Sequence, residues 1–385
     1  MNEYNINLTK EQEERAERLH KNSVIADMLF QGPIGTYSID EETEQELLEL
    51  ATKACPNDPV AQIDYAQNLI NSWMLNGKLS DLYENCWMES GINLSCRQLS
   101  ISSKDALMRS IVDVQEEFDR KPWIVKCRNA EEIKTAIKSG KKACVVLSQE
   151  ALGYGKDLSL LEMAYRFGLR IQQLTYNNHN LIGAGCMEPN DAGLSLFGMK
   201  FVEKCNELGI LVDTGHCGKQ TTLDACRLSK SPVVASHTGV DRVYHHNRCK
   251  SEEEIKAIAA TGGVLGMFAM PWFIAKDPKQ TTIDDLIAHM EAVIDLVGID
   301  HVGIGTDWPM PQTKWMAVAF KEYLAVKVFG FQPGDGPSTE VVHGLTDYRG
   351  FINITRGLVA KGYSDEDIQK IMGGNWLRVI AQVCH

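Results

Sequence analysis

Short apolar runs that alternate with helical segments dominate the pattern of the chain. Each run is rich in valine, isoleucine and leucine, and its length is typical of a strand buried on both faces. We predict strands over residues 23–29, 91–96, 143–150, 170–175, 209–216, 232–237, 262–268 and 301–307. Strands that alternate with helices indicate a parallel sheet, and eight of them indicate closure into an α/β fold of the (β/α)8 barrel type.

The helical pattern adds an insertion and a tail to this barrel. Apolar residues recur at helical spacing over residues 40–53 and 59–75, which predicts a helical insertion at about 38–90, between the first two strands. A pair of helices separated by two glycines is expected in the tail, at about 362–385. We expect the whole chain, residues 1–385, to form one domain. An insertion after the first strand would cover the barrel face on which active sites are built.

Composition excludes several classes of partner. The formal net charge of the 385 residues is -12, and lysine and arginine are dispersed, so a nucleic-acid partner is not expected. No apolar run approaches the roughly 20 residues that a membrane span needs. The eleven cysteines lack the even count and short spacings of a disulfide framework or a zinc knuckle. These observations predict a cytoplasmic protein without membrane contact.

Polar residues that suit catalysis follow four of the predicted strands. Glu150 ends the third strand, His216 the fifth, His237 the sixth and Asp307 the eighth. Each of them alone has an ordinary explanation as a cap or a salt-bridge partner. Together, at corresponding strand ends, they favour a site for Zn²⁺ or a similar divalent ion with an open position for water. Asp307 would then accept the proton of that water.

Several motifs resemble one known family. They lie at residues 147–150, 174–177, 212–216, 235–237, 303–307 and 362–378. Through them the chain resembles the membrane dipeptidase (renal dipeptidase) family of zinc peptidases, within the amidohydrolase superfamily, from residue 23 to residue 383. The resemblance implies a dipeptide or a similar small molecule as the substrate. We also expect a homo-oligomer, namely a dimer.

The resemblance assigns roles to individual residues. Glu150 matches a glutamate that bridges two zinc ions, and His216 and His237 match the histidines that hold the second ion. Asp307 matches the catalytic acid/base. Arg248 matches the arginine for the substrate carboxylate, a role that suits a planar guanidinium. A surface loop cation is an equally good explanation of Arg248.

The chain departs from the family where the first ion should bind. Leu29 and Gln31 stand in place of the histidine and aspartate that normally end the first strand, so one ion is expected rather than two. Tyr176 replaces a histidine that contacts the reacting carbonyl oxygen, and its hydroxyl could donate there. His179 and Asn177 are close in sequence and are expected to help bind the substrate.

Three functions remain open at this point. The first is hydrolysis of a C–N bond with a single ion and Asp307 as the base. The second is a different reaction on a small carboxylate substrate, such as an elimination, an isomerisation or another C–N cleavage. The third is a binding role without catalysis, which the retention of Glu150, His216, His237 and Asp307 disfavours.

Overall fold

Ten parallel strands organise the computed structural model, which describes residues 4–308, 310–325 and 340–385. Most are short, and their residues are predominantly buried because helices cover the outer face of the sheet. The strands are β1 (Ala26–Asp27), β2 (Leu94–Gln98), β3 (Ile124–Cys127), β4 (Lys142–Ser148), β5 (Leu169–Gln173), β6 (Leu211–Asp213), β7 (Val233–Val240), β8 (Cys249–Lys250), β9 (Leu265–Met267) and β10 (Val302–Ile304).

Eight of these strands form the barrel, in the order β1-β2-β4-β5-β6-β7-β9-β10. The two ends of this sheet meet, because the Met28 amide donates to the Ile304 carbonyl and the Asp307 amide donates to the Leu29 carbonyl, each at 3.0 Å. The prediction of a (β/α)8 barrel is therefore confirmed. The remaining strands, β3 and β8, were not predicted; β3 pairs with β4 and β8 pairs with the end of β7.

Helices follow the barrel strands and surround them, and none in the described part of the chain is long and apolar enough to span a bilayer. Three helices separate β1 from β2, where two were predicted. The helices are α1 (Lys10–Asn22), α2 (Glu41–Ala54), α3 (Pro59–Asn76), α4 (Ser80–Glu89), α5 (Lys104–Arg120), α6 (Ala130–Lys138), α7 (Leu158–Phe167), α8 (Leu196–Leu208), α9 (Lys219–Leu228), α10 (Glu252–Ala260), α11 (Pro271–Ile274), α12 (Ile283–Val297), α13 (Lys314–Phe320), α14 (Ile352–Ala360), α15 (Asp365–Gln369) and α16 (Asn375–Val383).

The C-terminal helix α16 is anchored on the last barrel strand. The indole nitrogen of Trp376 donates to the Ile304 carbonyl at 3.0 Å, and the Asn375 amide donates to the Val302 carbonyl at 2.8 Å. The ring approaches so closely that a Cβ atom on Gly303 would lie 2.5 Å from the indole nitrogen. The tail therefore packs directly on the strand that leads to Asp307.

Candidate active site

Two imidazoles meet at the carboxyl ends of neighbouring strands. His237 lies within β7, and His216 follows β6, which pairs with β7. Their Nε2 atoms are 2.8 Å apart, and both side chains are almost completely buried. Nitrogens this close could bind the same ion, since a Zn–N bond is about 2 Å long.

The other ring nitrogens have partners that fix the tautomers. Nδ1 of His216 is 2.6 Å from the side-chain oxygen of Asn177. Nδ1 of His237 is 2.8 Å from the hydroxyl of Ser236, whose own hydrogen goes to the Asp213 carboxylate at 2.5 Å. Both Nδ1 atoms therefore donate a hydrogen, which leaves a lone pair on each Nε2.

The two lone pairs leave the electron-rich Nε2 atoms close to each other. Burial lowers the pKa of both imidazoles well below their ordinary value, and the nearby Arg248 guanidinium lowers it further. A shared proton is therefore disfavoured, and two acceptors at 2.8 Å would otherwise repel each other. The pair fits one divalent ion bound through both Nε2 atoms.

Asp307 is held beside this pair in an unusual backbone conformation. Its φ of +54° is uncommon for a residue with a side chain. Oδ2 lies 3.9 Å from Nε2 of His237, and Oδ1 accepts a hydrogen bond from the Gln31 side chain at 2.5 Å. Burial raises the pKa of Asp307 to about 7, although the bond from Gln31 acts in the opposite direction. Such a pKa suits a group that takes up and returns a proton near neutral pH.

Glu150 does not join the two histidines in this structure. Its Oε1 accepts from the backbone amides of Ala151 and Leu152, at 2.6 and 2.8 Å, and from the side chain of Asn180 at 3.0 Å. These bonds turn the carboxylate toward its own loop. In the described part of the chain, no three histidine, cysteine or acidic side chains converge on a common ion position. The predicted trio with Glu150 is thus not assembled here, although its histidine pair is.

The loop after β5 contributes one aromatic ring to the site. The ring of Tyr176 stacks on His216, with centroids 4.0 Å apart and planes at 22°. Burial and the neighbouring Asp307 raise the pKa of Tyr176, so its hydroxyl keeps its hydrogen. Asn177 is buried and contacts the far side of His216.

His179 lies apart from these residues. Its side chain is 74% exposed and faces Glu188, with Nδ1 at 3.3 Å from the carboxylate. The same carboxylate accepts from the backbone amide of His179 at 2.8 Å, which holds the residue at the surface. The structure therefore does not bring His179 to the imidazole pair.

Arg248 is a buried cation rather than a surface one. Its side chain is covered, and Nη1 donates to the Gly215 carbonyl next to His216. Among the described residues, none accepts a hydrogen bond from its buried Nη2. A guanidinium whose Nη1 is fixed by the backbone, and whose Nη2 has no acceptor among the described residues, is suited to bind an anionic group of a ligand.

The sequence matches the model of one protein family over most of its length. The model of the membrane dipeptidase family (peptidase family M19) matches residues 14–318 and 329–385. The chain belongs to the membrane dipeptidase family.

Two relatives of this membrane dipeptidase family member share about a quarter of their aligned residues with it. It is 27% identical over 256 residues to dipeptidase tcpJ of Claviceps purpurea (strain 20.1), a match that covers 66% of this chain and 54% of that protein. It is 25% identical over 334 residues to dipeptidase verJ of Clonostachys rogersoniana, covering 86% and 78% of the two chains. The first match thus spans about half the length of the relative.

A solved structure extends the similarity to three dimensions. An amidohydrolase from Pseudomonas aeruginosa superimposes with a TM-score of 0.72 at 25% identity, covering 96% of this chain and 99% of that one. The resemblance to the membrane dipeptidases stated from the motifs is therefore confirmed.

The departures from the family pattern have structural consequences in this membrane dipeptidase family member. Leu29 is fully buried, and Gln31 hydrogen-bonds Asp307. Asp27, one layer deeper, is also fully buried and accepts from the backbone amides of Thr306 and Leu29 at 2.8 and 3.1 Å. Leu29 packs in the core, and the side chains of Gln31 and Asp27 form hydrogen bonds within the protein. These three residues therefore do not form a binding site for the ion that the family holds at the end of its first strand.

A cavity of about 770 Å³ opens beside these positions. Its floor is formed at the strand ends by Gln31, Gln98, Gln149 and Tyr176, and its outer walls come from α3 and α5 of the described chain. Two of these four floor residues, Gln31 and Tyr176, were singled out from the sequence, whereas Gln98 and Gln149 were missed. The signal that identifies them is glutamine at successive strand ends, at positions 31, 98, 149 and 173.

Proposed function

We propose that this protein is a metal-dependent hydrolase that cleaves the C–N bond of a dipeptide or a similar small amino-acid derivative. The observation that carries the proposal is the pair of facing Nε2 lone pairs of His216 and His237, with Asp307 Oδ2 3.9 Å away. Membership of the membrane dipeptidase family supports the same reaction class.

His216 and His237 would hold one divalent ion, zinc being the usual choice for two imidazoles and oxygen ligands. When bound, the ion supplies Lewis acidity and lowers the pKa of a coordinated water to about 7. The chain itself orients both imidazoles, through Asn177 on one ring and Ser236 on the other. Fixed ring orientations of this kind strengthen a metal site.

Asp307 would move the proton. Its Oδ2 faces the histidine pair, so it can accept a proton from the attacking water and return it to the nitrogen of the leaving amine. The hydroxyl of Tyr176, kept protonated by its raised pKa, would donate to the carbonyl oxygen as negative charge develops there. The buried Nη2 of Arg248 would bind the free carboxylate of the substrate.

The first experiment tests the proton step. Purified protein loaded with zinc is assayed on dipeptides with a free C-terminus, then on N-acyl amino acids. We expect Asp307→Asn to lower kcat by about 100-fold or more, because a carboxamide cannot accept the proton. Metal content measured by atomic spectroscopy should stay at about one ion per chain, because the imidazoles are intact.

His216→Ala serves as the contrast, since it should lower metal content and turnover together. Wild-type kcat in Asp307→Asn would contradict the proposed proton transfer. If the loaded wild-type protein hydrolyses no member of the panel, the hydrolase proposal itself fails.

A further inference from the structure

A line of glutamine side chains crosses the barrel mouth and ends at Asp307. Gln149 Nε2 donates to Gln98 Oε1 at 2.5 Å, and Gln98 Nε2 donates to Gln31 Oε1 at 3.1 Å. Gln31 Nε2 then donates to Asp307 Oδ1 at 2.5 Å. Gln173 joins the outer end, where its side chain donates to the Gln149 carbonyl at 2.5 Å.

The direction of these bonds follows from their last member. Oδ1 of Asp307 is an acceptor when the carboxylate is ionised and also when Oδ2 carries a proton, so Gln31 must present its NH2 group to Asp307 and its oxygen to Gln98. The oxygen of Gln31 in turn requires the NH2 group of Gln98. The same requirement passes to Gln149, so the orientation of each amide is set by the amide before it.

The geometry also shows the cost of this arrangement. The Oε1 of Gln149 is buried, and no described residue donates to it. A buried acceptor without a donor is destabilising, because it has lost its hydrogen bonds to water. The chain needs the NH2 group of Gln149 to face Gln98, and this orientation leaves the oxygen of Gln149 at the far end of the line.

We propose that Gln31, Gln98 and Gln149 form a one-way hydrogen-bond chain that positions the Asp307 carboxylate, holding Oδ1 and leaving Oδ2 free to transfer the proton. All three are positioning residues: Gln31 bonds the Asp307 carboxylate directly, and Gln98 and Gln149 act through Gln31. The kinetic consequence rests on the proposed function, whereas the hydrogen-bond chain itself does not.

Gln98→Glu tests the chain with a nearly isosteric change. The new carboxylate still accepts from Gln149, but it cannot donate to the oxygen of Gln31. Gln31 must then either leave two oxygens facing each other or turn its own oxygen toward Asp307. Since a hydrogen bond to a charged group is worth about 1.5–3 kcal/mol, kcat should fall about 10- to 100-fold, while KM changes less than about 2-fold and metal content is unchanged.

Two further variants separate positioning from a general effect of the added charge. Gln62→Glu makes the same change on α3, where the side chain donates to the Cys55 carbonyl, and should keep wild-type kcat. Gln31→Leu removes the link between Gln98 and Asp307. In that background Gln98→Glu should cause no additional loss of kcat, because its effect travels through Gln31. Additive losses, or a Gln98→Glu enzyme as active as Gln62→Glu, would overturn the proposal.

The hydrogen-bond chain can also be tested without any substrate, in protein whose glutamine side chains are labelled with ¹⁵N. The NH2 hydrogens of Gln31 and Gln98 should exchange with water at least about 10-fold more slowly than those of the exposed Gln45. Exchange as fast as at Gln45 would refute the chain even in an active enzyme. Slow exchange in a protein that hydrolyses no substrate would instead support the hydrogen-bond chain and contradict the proposed function.

Discussion

The chemistry of single residues in this protein is set by the atoms behind the reactive ones. His216 and His237 face each other with bare Nε2 atoms only because Asn177 and Ser236 take the hydrogens on the opposite ring nitrogens. Asn177 was expected to contact the substrate, yet its oxygen is used on His216. We therefore propose that it orients the imidazole.

This placement predicts a difference between two substitutions of Asn177. Asn177→Leu removes the acceptor and frees the His216 tautomer, so zinc affinity should fall about 10- to 100-fold, as for other lost partners of metal ligands. Asn177→Asp keeps an acceptor at the same place and should retain most of the affinity. Competition with a fluorescent zinc chelator measures both. Equal affinities in the two variants would contradict the orienting role.

Arg248 gives a second prediction at this scale. Arg248→Met removes the guanidinium but keeps much of its length, so KM for substrates with a free carboxylate should rise about 10-fold or more, as expected for lost charge-assisted bonds. Substrates whose carboxylate is amidated provide the control and should show little change. Kinetics on matched pairs of free and amidated substrates decide the matter, and an equal effect on both would argue for a purely structural arginine.

The residue scale also shows where the sequence was informative. His216 and His237 end β-branched runs on adjacent strands, and that pattern alone predicted that they would lie together. The orientation of Glu150 could not be predicted, because it depends on two backbone amides and on Asn180. Gln98 and Gln149 were missed because a single glutamine at a strand end is chemically unremarkable until its neighbours are known.

At the scale of elements, all eight barrel strands were located from their apolar runs. The helices predicted at residues 40–53 and 59–75 are α2 and α3, whose bounds differ from the predicted ones by one residue at most. The strands β3 and β8 were missed because each contains a lysine and neither belongs to a continuous apolar run. The added helix α4 was missed because Leu79, at its N-cap, makes no side-chain capping bond that could mark its start.

The contact between α16 and β10 yields a prediction about stability. Gly303→Ala places a methyl group against the Trp376 indole, and overpacking of this kind costs about 1–3 kcal/mol. In a Trp376→Leu background the same substitution should cost less, because the smaller side chain leaves room. Urea unfolding of the two single variants and the double variant measures the coupling. Purely additive losses would show that the indole is not the group that excludes the methyl.

At the scale of the whole molecule, the barrel closes across a short seam between β10 and β1. Two backbone hydrogen bonds cross it, at Met28 and Asp307, and the Asp27 carboxylate adds a bond to the Thr306 amide. Burial raises the pKa of Asp27 from 3.8 to about 6, against the effect of its hydrogen bonds. A buried acid therefore helps to join the ends of the sheet.

This seam predicts a specific dependence of stability on pH. Because the pKa of Asp27 is higher in the folded state, the folded protein binds the proton more tightly than the unfolded one. Protonation of Asp27 therefore adds to the free energy of unfolding, and this contribution is fully present below about pH 4. That gain is lost as the pH rises from about 4 through 6, to a total of about 3 kcal/mol. Asp27→Asn does not titrate, so its free energy of unfolding should lack this decrease.

Urea unfolding of the wild type and Asp27→Asn at pH 4, 5, 6 and 7 provides the measurement. The difference between the two proteins isolates Asp27 from the other ionisable groups. A difference that stays constant over this range would mean that Asp27 keeps an ordinary pKa in the folded protein.

The glutamine chain has an electrical consequence for the barrel mouth. Each side-chain amide carries a permanent dipole, and in Gln149, Gln98 and Gln31 the positive ends all point along the line that leads to Asp307. The field resembles that at the N-terminus of a helix, where aligned peptide dipoles attract an anion. Unlike a lysine or histidine, an amide neither gains nor loses charge between acidic and alkaline solution. The line of amides thereby directs at the Asp307 carboxylate an electric field that stays constant while the carboxylate exchanges protons.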